Sequence, residues 1–271
     1  NNLLLTVVME VLLRSSQRAL NSIPVGTKER NLPSTAFSCR RSPLLQCCRL
    51  QRKLKIPQSS RDILKVVEKN PEDLEGILAK CSEHEMTLTG DLLEGLRDDW
   101  LVVWSDLGKS SGEKRPSKAQ FVPSLKMLSF GALADVKVGI TESFNRVKGS
   151  RYDLVQCFQV CECGTHGALI LQGECASNPQ HPSSRLDVKF SSVKISAHND
   201  ASPEVVVALR DKGLGDALDG PVPIKAPNTY IDIEYLDGDI RVHKGQSGST
   251  YILRRLKGQE AIPYDLGDTV S

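Results

Sequence analysis

The sequence lacks the short motifs that mark many catalytic centres. It contains no G-x-S-x-G, no phosphate-binding P-loop and no H-E-x-x-H. The pair Gly213 and Gly215 is not set between the strand and helix that a dinucleotide site needs. The five histidines are scattered along the chain, and none is spaced from a nucleophile as a catalytic base would be. They are His84, His166, His181, His198 and His243. We therefore expect a protein with no enzymatic activity and no cofactor.

The cysteines also lack the pattern of a metal site, because no C-x-x-C pair occurs. Three of the eight lie near the N-terminus, and the odd number that remains argues against a regular disulfide framework. A loose cluster invites a zinc interpretation and comprises Cys157, Cys161, Cys163, His166 and Cys175. We expect the first three to line one face of a single strand. Ordinary or redox-sensitive thiols are favoured over a metal site.

No apolar run is long enough to span a membrane as a helix, since the segment from Leu3 to Leu13 is short and Glu10 interrupts it. That segment has no basic region before it, so it is a poor secretory signal. The body of the chain carries no basic stripe, which disfavours nucleic-acid binding. At most, the protein is expected to associate peripherally with a membrane.

The N-terminal leader differs in charge from the rest of the chain. Residues 1–60 hold ten Lys or Arg and two acids, a net charge of +8, whereas the remainder holds 25 and 31, a net charge of −6. The leader is rich in Arg and Ser, and a short helical start precedes Pro-rich coil. This composition is typical of an organelle transit peptide, which we assign to residues 1–58, with a disordered basic tail as the alternative. The stretch alone does not decide between chloroplast and mitochondrion.

The body begins with a helical segment, predicted over residues 59–95, with a break at Asn70-Pro71. Eight or nine short strands follow from the "WLVVW" stretch onward, separated by turn signals. Leu186, Val188 and Phe190 alternate, and the apolar pattern then resumes out of phase, which predicts a bulge at Ser191-Ser192. This spacing is typical of a sandwich or an antiparallel barrel. We assign the barrel to residues 96–258 and a tail to residues 259–271.

The segment from Tyr230 to Arg255 predicts the closing strands. Asp237-Gly238 is a strong signal for a two-residue type I′ turn, which needs positive φ at both positions. That turn sets Tyr235 opposite Ile240, and Glu234 opposite Arg241 as a charge pair. One face, expected to point into the barrel, then carries Ile231, Ile233, Tyr235, Ile240 and Val242. The other face carries Asp232, Glu234, Arg241 and His243.

Gly245 and Gly248 bracket a second turn, and the chain returns as a strand over residues 250–256. Two inner faces are compatible with this strand, one carrying Tyr251 and Leu253 and the other carrying Ile252 and Leu256.

The only tryptophans, Trp100 and Trp104, lie four residues apart on the predicted first strand and should share a face. They fill the core, wall a ligand cavity, or do both.

The closing segment resembles the C-terminal signature of the plastid lipid-associated protein family, the fibrillins. The resemblance covers residues 61–256 and is strongest over 229–256. The family's N-terminal motif is matched loosely by Leu96, Trp100 and Trp104. Trp104 stands where the family has tyrosine. The signature positions are met by Tyr235, Leu236, Asp237, Asp239, Ile240, Arg241, Val242, Gly245, Gly248 and the strand from Tyr251 to Arg254.

The resemblance implies a lipocalin-like barrel in a chloroplast protein of the stroma, the plastoglobules or the stromal face of the thylakoid. It also implies binding or coating of apolar lipids such as quinones, carotenoids or fatty acids. Ligand-pocket candidates are therefore Trp100, Trp104, Ile231, Ile233, Tyr235, Ile240 and Val242. The competing hypothesis is a scaffold with a filled barrel, which binds a plastid enzyme of isoprenoid or quinone metabolism or a membrane complex. The two hypotheses differ in whether the interior is open.

Overall fold

A computed structural model of the chain describes residues 58–69, 76, 79, 91–105 and 122–267. The predicted transit peptide up to residue 57, the segment with Cys81 and His84, and residues 268–271 lie outside the described residues.

The described part is mainly β, with short helices between the strands. In chain order, the helices are α1 (Gln58–Lys69), α2 (Leu92–Leu96), α3 (Leu125–Leu128), α4 (Pro203–Leu209) and α5 (Gly215–Asp219). A kink at Gly213, where φ is +77°, separates α4 from α5. The strands are β1 (Asp98–Ser105), β2 (Val138–Lys148), β3 (Arg151–Val160), β4 (His166–Asn178), β5 (His181–Ser196), β6 (Val222–Pro223), β7 (Thr229–Leu236), β8 (Ile240–Gly245) and β9 (Thr250–Arg255).

Eight of these strands close into an antiparallel barrel. The hydrogen-bonded order is β4-β3-β2-β1-β9-β8-β7-β5, and β5 pairs with β4 to complete the ring. The short β6 adds to β5 at Ser192 and Val193. Closure leaves no edge strand within the ring, which removes the sites where sheets aggregate. The predicted fold class, a lipocalin-like antiparallel barrel after a short helical segment, is confirmed.

Bulges adjust which side chains face inward. Gln172 pairs with Ser192 and Gly173 with Phe190, so Ser191 is the extra residue and the predicted bulge is confirmed. Val103 and Glu234 are extra residues of the same kind in β1 and β7. Each extra residue moves the following side chains to the opposite face of the sheet.

Helix α1 lies against the outside of the barrel. Its Ile63 and Val67, one turn apart, are buried, as expected of an amphipathic helix. They pack on outward-facing side chains of four strands, namely Trp104, Tyr235, Ile240, Val242 and Ile252. The helix ends at Lys69, next to the predicted break.

The C-terminal tail covers a second part of the outer wall. Ile262 and Leu266 are buried against outward-facing side chains of β2, β3 and β4. Arg151 fixes the tail by donating hydrogen bonds to the carbonyl oxygens of Leu266 (2.6 Å) and Gly267 (2.7 Å). The outer wall is therefore apolar where α1 and the tail lie on it.

Candidate functional site

The candidate site is the barrel interior, where a ligand of a lipocalin-like protein would lie. Among the predicted pocket residues, Trp100, Ile231 and Ile233 belong to the interior cluster. Tyr235, Ile240, Val242 and Trp104 lie outside, beneath α1.

The predicted common face of the pocket residues was therefore wrong for these four. The bulge at Val103 turns Trp104 away from the face of Trp100. The bulge at Glu234 turns Tyr235 away from the face of Ile233.

The hairpin turn also differs from the prediction. Asp237 N donates to the carbonyl of Ile240 (3.0 Å), and the strands pair Tyr235 with Val242 rather than with Ile240. Neither Asp237 nor Gly238 is among the described residues with positive φ, so the turn is not type I′. The shifted register turns the polar residues of β8 inward.

Arg241 is the most unusual side chain of the interior, because it is a fully buried cation. Its Nη2 donates to Asn145 Oδ1 (2.5 Å), which also accepts from the Tyr152 hydroxyl (2.9 Å). The guanidinium carbon lies 5.1 Å from the Trp100 ring centroid, within cation–π range. The predicted surface pair with Glu234 was wrong, since Glu234 is exposed and Arg241 faces inward. Burial lowers the pKa of Arg241 to about 10, so it stays charged at neutral pH.

His243 lies one interior position further along β8 and is also buried. Its ring rests against Tyr251, with ring centroids 5.0 Å apart. Burial, and then the charge of Arg241, hold the pKa of His243 well below its ordinary value. The imidazole is therefore neutral at physiological pH. Tyr251 and Leu253 are both interior residues, which settles the open choice for β9 in favour of this pair.

Between these groups lies a small cavity of about 40 Å³. Its lining mixes apolar side chains with the polar Ser143, Asn145, Gln156 and His243. A water molecule occupies about 30 Å³ of liquid, whereas sites for drug-sized ligands measure about 300–1,000 Å³. This cavity therefore holds room for very few water molecules and is far too small for a drug-sized ligand.

Trp100 is held rigidly at the wall of this interior. Its Nε1 donates to the carbonyl of Leu96 (2.8 Å), which ties β1 to α2. The guanidinium carbon of Arg255 lies 4.5 Å from the Trp100 ring centroid, and Arg255 Nη2 donates to Gly95 O (2.8 Å). Trp100 is thus a packed structural anchor between two cations.

Three other signature residues, Asp237, Asp239 and Gly248, stabilise the turns of the closing strands. Asp237 Oδ1 accepts from the backbone N–H groups of Asp239 and Ile240, both at 2.7 Å, and Asp239 forms an ion pair with Lys257. Gly248 adopts a φ of +88°, which favours glycine, and its N–H donates to Gly245 O (2.8 Å). These three residues therefore shape turns rather than a ligand site.

The cysteines do not lie along one strand, so that prediction was wrong. Cys157 is on the outer wall of β3 beneath the tail, and Cys175 is in the interior. Since β3 ends at Val160, Cys161 and Cys163 fall in the following turn, where both are exposed. Within the described residues, no group of three or more His, Cys, Asp or Glu is placed to hold a metal ion.

Sequence reasoning missed the polar interior formed by Ser143, Asn145, Gln156 and His243. The available signal was that Ser143 and Asn145 alternate in phase with Val147, which places all three on one face of β2.

The fold and interior define this chain as a lipocalin-like antiparallel barrel with a packed, partly polar core. A scan against family models finds no match, and a search of curated proteins finds no significant match. Among the described helices, none is long and apolar enough to cross a membrane.

Proposed function

We propose that this chain is a non-enzymatic plastid protein that acts as a scaffold, binding a partner through its outer surface around a filled barrel. The observation that carries the proposal is the size of the cavity between the interior side chains, about 40 Å³. A quinone, a carotenoid or a fatty acid would need several times that volume.

The polar interior supports the same choice. An apolar ligand placed there would contact Asn145 and His243. It would also lie close to the charged Arg241, which donates a hydrogen bond to Asn145. Burying polar groups against a ligand that cannot hydrogen-bond to them costs roughly 1–3 kcal/mol per group. The interior is thus unsuited to an apolar ligand in chemistry as well as in volume.

The class of partner comes from the family resemblance of residues 229–256. On that ground we propose an enzyme of isoprenoid or quinone metabolism, or a membrane complex, in the plastid. Coating of a lipid surface requires no cavity and is therefore also compatible with a filled barrel. The tests below distinguish partner binding from lipid coating.

The two tryptophans allow the interior to be tested separately from the outer wall. In Trp104→Phe the only tryptophan is Trp100, inside the barrel. In Trp100→Phe it is Trp104, beneath α1. We expect titration with plastoquinone, a carotenoid and a fatty acid to give no saturable quenching of Trp100. Saturable quenching at low micromolar ligand in Trp104→Phe, absent from Trp100→Phe, would show an open barrel and overturn the proposal.

The partner is tested in two steps. Cross-linking in isolated plastids first identifies neighbouring proteins. Each candidate enzyme is then mixed with the purified chain, and the molar mass of the mixture is measured by light scattering coupled to size-exclusion chromatography. We expect a complex of fixed stoichiometry with one such enzyme. Binding to lipid vesicles without any protein complex would instead support the lipid-coating function.

A further inference from the structure

The turn between β3 and β4 presents two exposed thiols. Cys161 and Cys163 lie two residues apart in a turn fixed by backbone hydrogen bonds from Val160 N to Thr165 O (2.8 Å) and from Cys161 N to Lys137 O (3.0 Å). Since consecutive Cα atoms are 3.8 Å apart, residues i and i+2 lie within about 7 Å of each other. Disulfides span Cα separations of about 4.4–6.8 Å. The spacing therefore permits a disulfide between them.

The surroundings of Cys163 favour its thiolate. Its Sγ lies 3.1 Å from the Thr165 hydroxyl oxygen. Lys212, from the kinked segment after α4, forms an ion pair with Glu162, the residue between the two cysteines. Hydrogen bonding by Thr165, aided by the charge of Lys212 and opposed by Glu162, lowers the pKa of Cys163. The thiolate is the form of cysteine that acts as a nucleophile.

The other two described cysteines provide a contrast within the same chain. Cys157 and Cys175 are each about 3% exposed. Burial raises the pKa of both thiols, that of Cys175 to about 11. Because of their exposure and the nearby charges, the thiols of the turn should be the most reactive among the described cysteines.

We propose that Cys161 and Cys163 form a dithiol site that exchanges electrons with small-molecule or protein disulfides. The Cys163 thiolate attacks one sulfur of the disulfide, whose S–S bond breaks, and the other sulfur leaves as a thiolate. The Cys161 thiol then loses its proton to solvent and attacks Cys163 Sγ, which expels the second sulfur. Two electrons pass from the protein to the disulfide, and a dithiol reductant reverses the reaction. The site lies on the outside of the barrel and does not depend on what the interior binds.

The residue between the two thiols makes the disulfide directly detectable. The full chain is equilibrated in mixtures of reduced and oxidised glutathione, its remaining thiols are blocked, and it is digested with trypsin and a glutamate-specific protease. Cleavage after Glu162 separates the fragments 152–162 and 163–174. We expect the fragments from oxidised protein to stay joined until they are reduced, with Cys157, the other cysteine of fragment 152–162, carrying the blocking group. If they separate without reduction, or if Cys163 is joined to a different cysteine, the proposal is overturned.

Two variants test the roles of the individual thiols. In Cys161→Ser the resolving thiol is absent, so Cys163 should accumulate as a mixed disulfide with glutathione. Thr165→Val removes the hydrogen bond and should slow alkylation of Cys163 severalfold. In the parent protein, Cys163 should be alkylated at least about tenfold faster than the buried Cys157, which serves as the internal control. Equal rates at the two cysteines, or no mixed disulfide in Cys161→Ser, would contradict the assignment.

Discussion

Arg241 allows the buried polar network to be tested by its energetics. Its guanidinium donates a hydrogen bond to the neutral Asn145, and none of the described ion pairs joins it to a carboxylate. Removing the acceptor leaves a buried charged donor without this hydrogen bond, and we predict that Asn145→Leu lowers the free energy of unfolding by about 2–3 kcal/mol. Tyr152→Phe removes one neutral hydrogen bond and should cost about 1 kcal/mol.

Removing the charge itself should cost less than removing its partner. Replacing buried charges by apolar side chains of similar volume is often neutral or stabilising, so we expect Arg241→Met to change stability by no more than about 1–2 kcal/mol. The double variant Asn145→Leu/Arg241→Met should recover most of the loss caused by Asn145→Leu, because the unpaired charge is gone.

Urea unfolding followed by tryptophan fluorescence measures each of these free energies, and unchanged slopes confirm that the folded states are comparable. An Arg241→Met variant that loses as much stability as Asn145→Leu, with no recovery in the double variant, would contradict an effect of the buried charge. That result would mean that the two side chains contribute by packing alone.

Three further predictions concern the interior histidine, α1 and the leader. Because the pKa of His243 is lowered, the unfolded chain binds a proton below about pH 6.5 that the folded chain does not. Parent stability should therefore fall more steeply between pH 7 and pH 5 than that of His243→Gln, and parallel urea curves would contradict this. Ile63→Ala should lower the free energy of unfolding by about 2–4 kcal/mol because Ile63 is fully buried. Its control is Lys65→Ala at an exposed position of the same helix, which should change that free energy by less than about 0.5 kcal/mol. Equal effects of the two variants would refute the docking of α1. N-terminal sequencing from isolated plastids should find a mature chain that starts between about Cys47 and Ser60, and a start near Met9 would refute processing.

The barrel architecture could be predicted because most strands carry a clear signal. Leu186, Val188 and Phe190 alternate with more polar residues, and the change of phase at Ser191 is visible because the apolar positions shift with it. The helical segment predicted over residues 59–95 includes most of α2, and the structure places Asp91 as the N-cap of that helix.

The interior could not be predicted from alternation, because β8 is buried on both faces. Ile240 and Val242 are covered by α1, while Arg241 and His243 enter the barrel. Alternating apolar and polar residues normally indicate a core face and a solvent face, so the polar residues were assigned to solvent. The bulge at Val103 was hidden for a related reason, since "WLVVW" is apolar on both faces and a change of phase leaves no trace.

Native mass spectrometry of the protein purified from its own tissue shows directly whether the barrel holds a ligand. For a filled barrel we expect the mass of the processed chain, alone or with a protein partner, and no bound small molecule. A stoichiometric apolar ligand that is released on activation in the gas phase, and that is lost from a variant with a bulkier interior such as Val188→Phe, would contradict it.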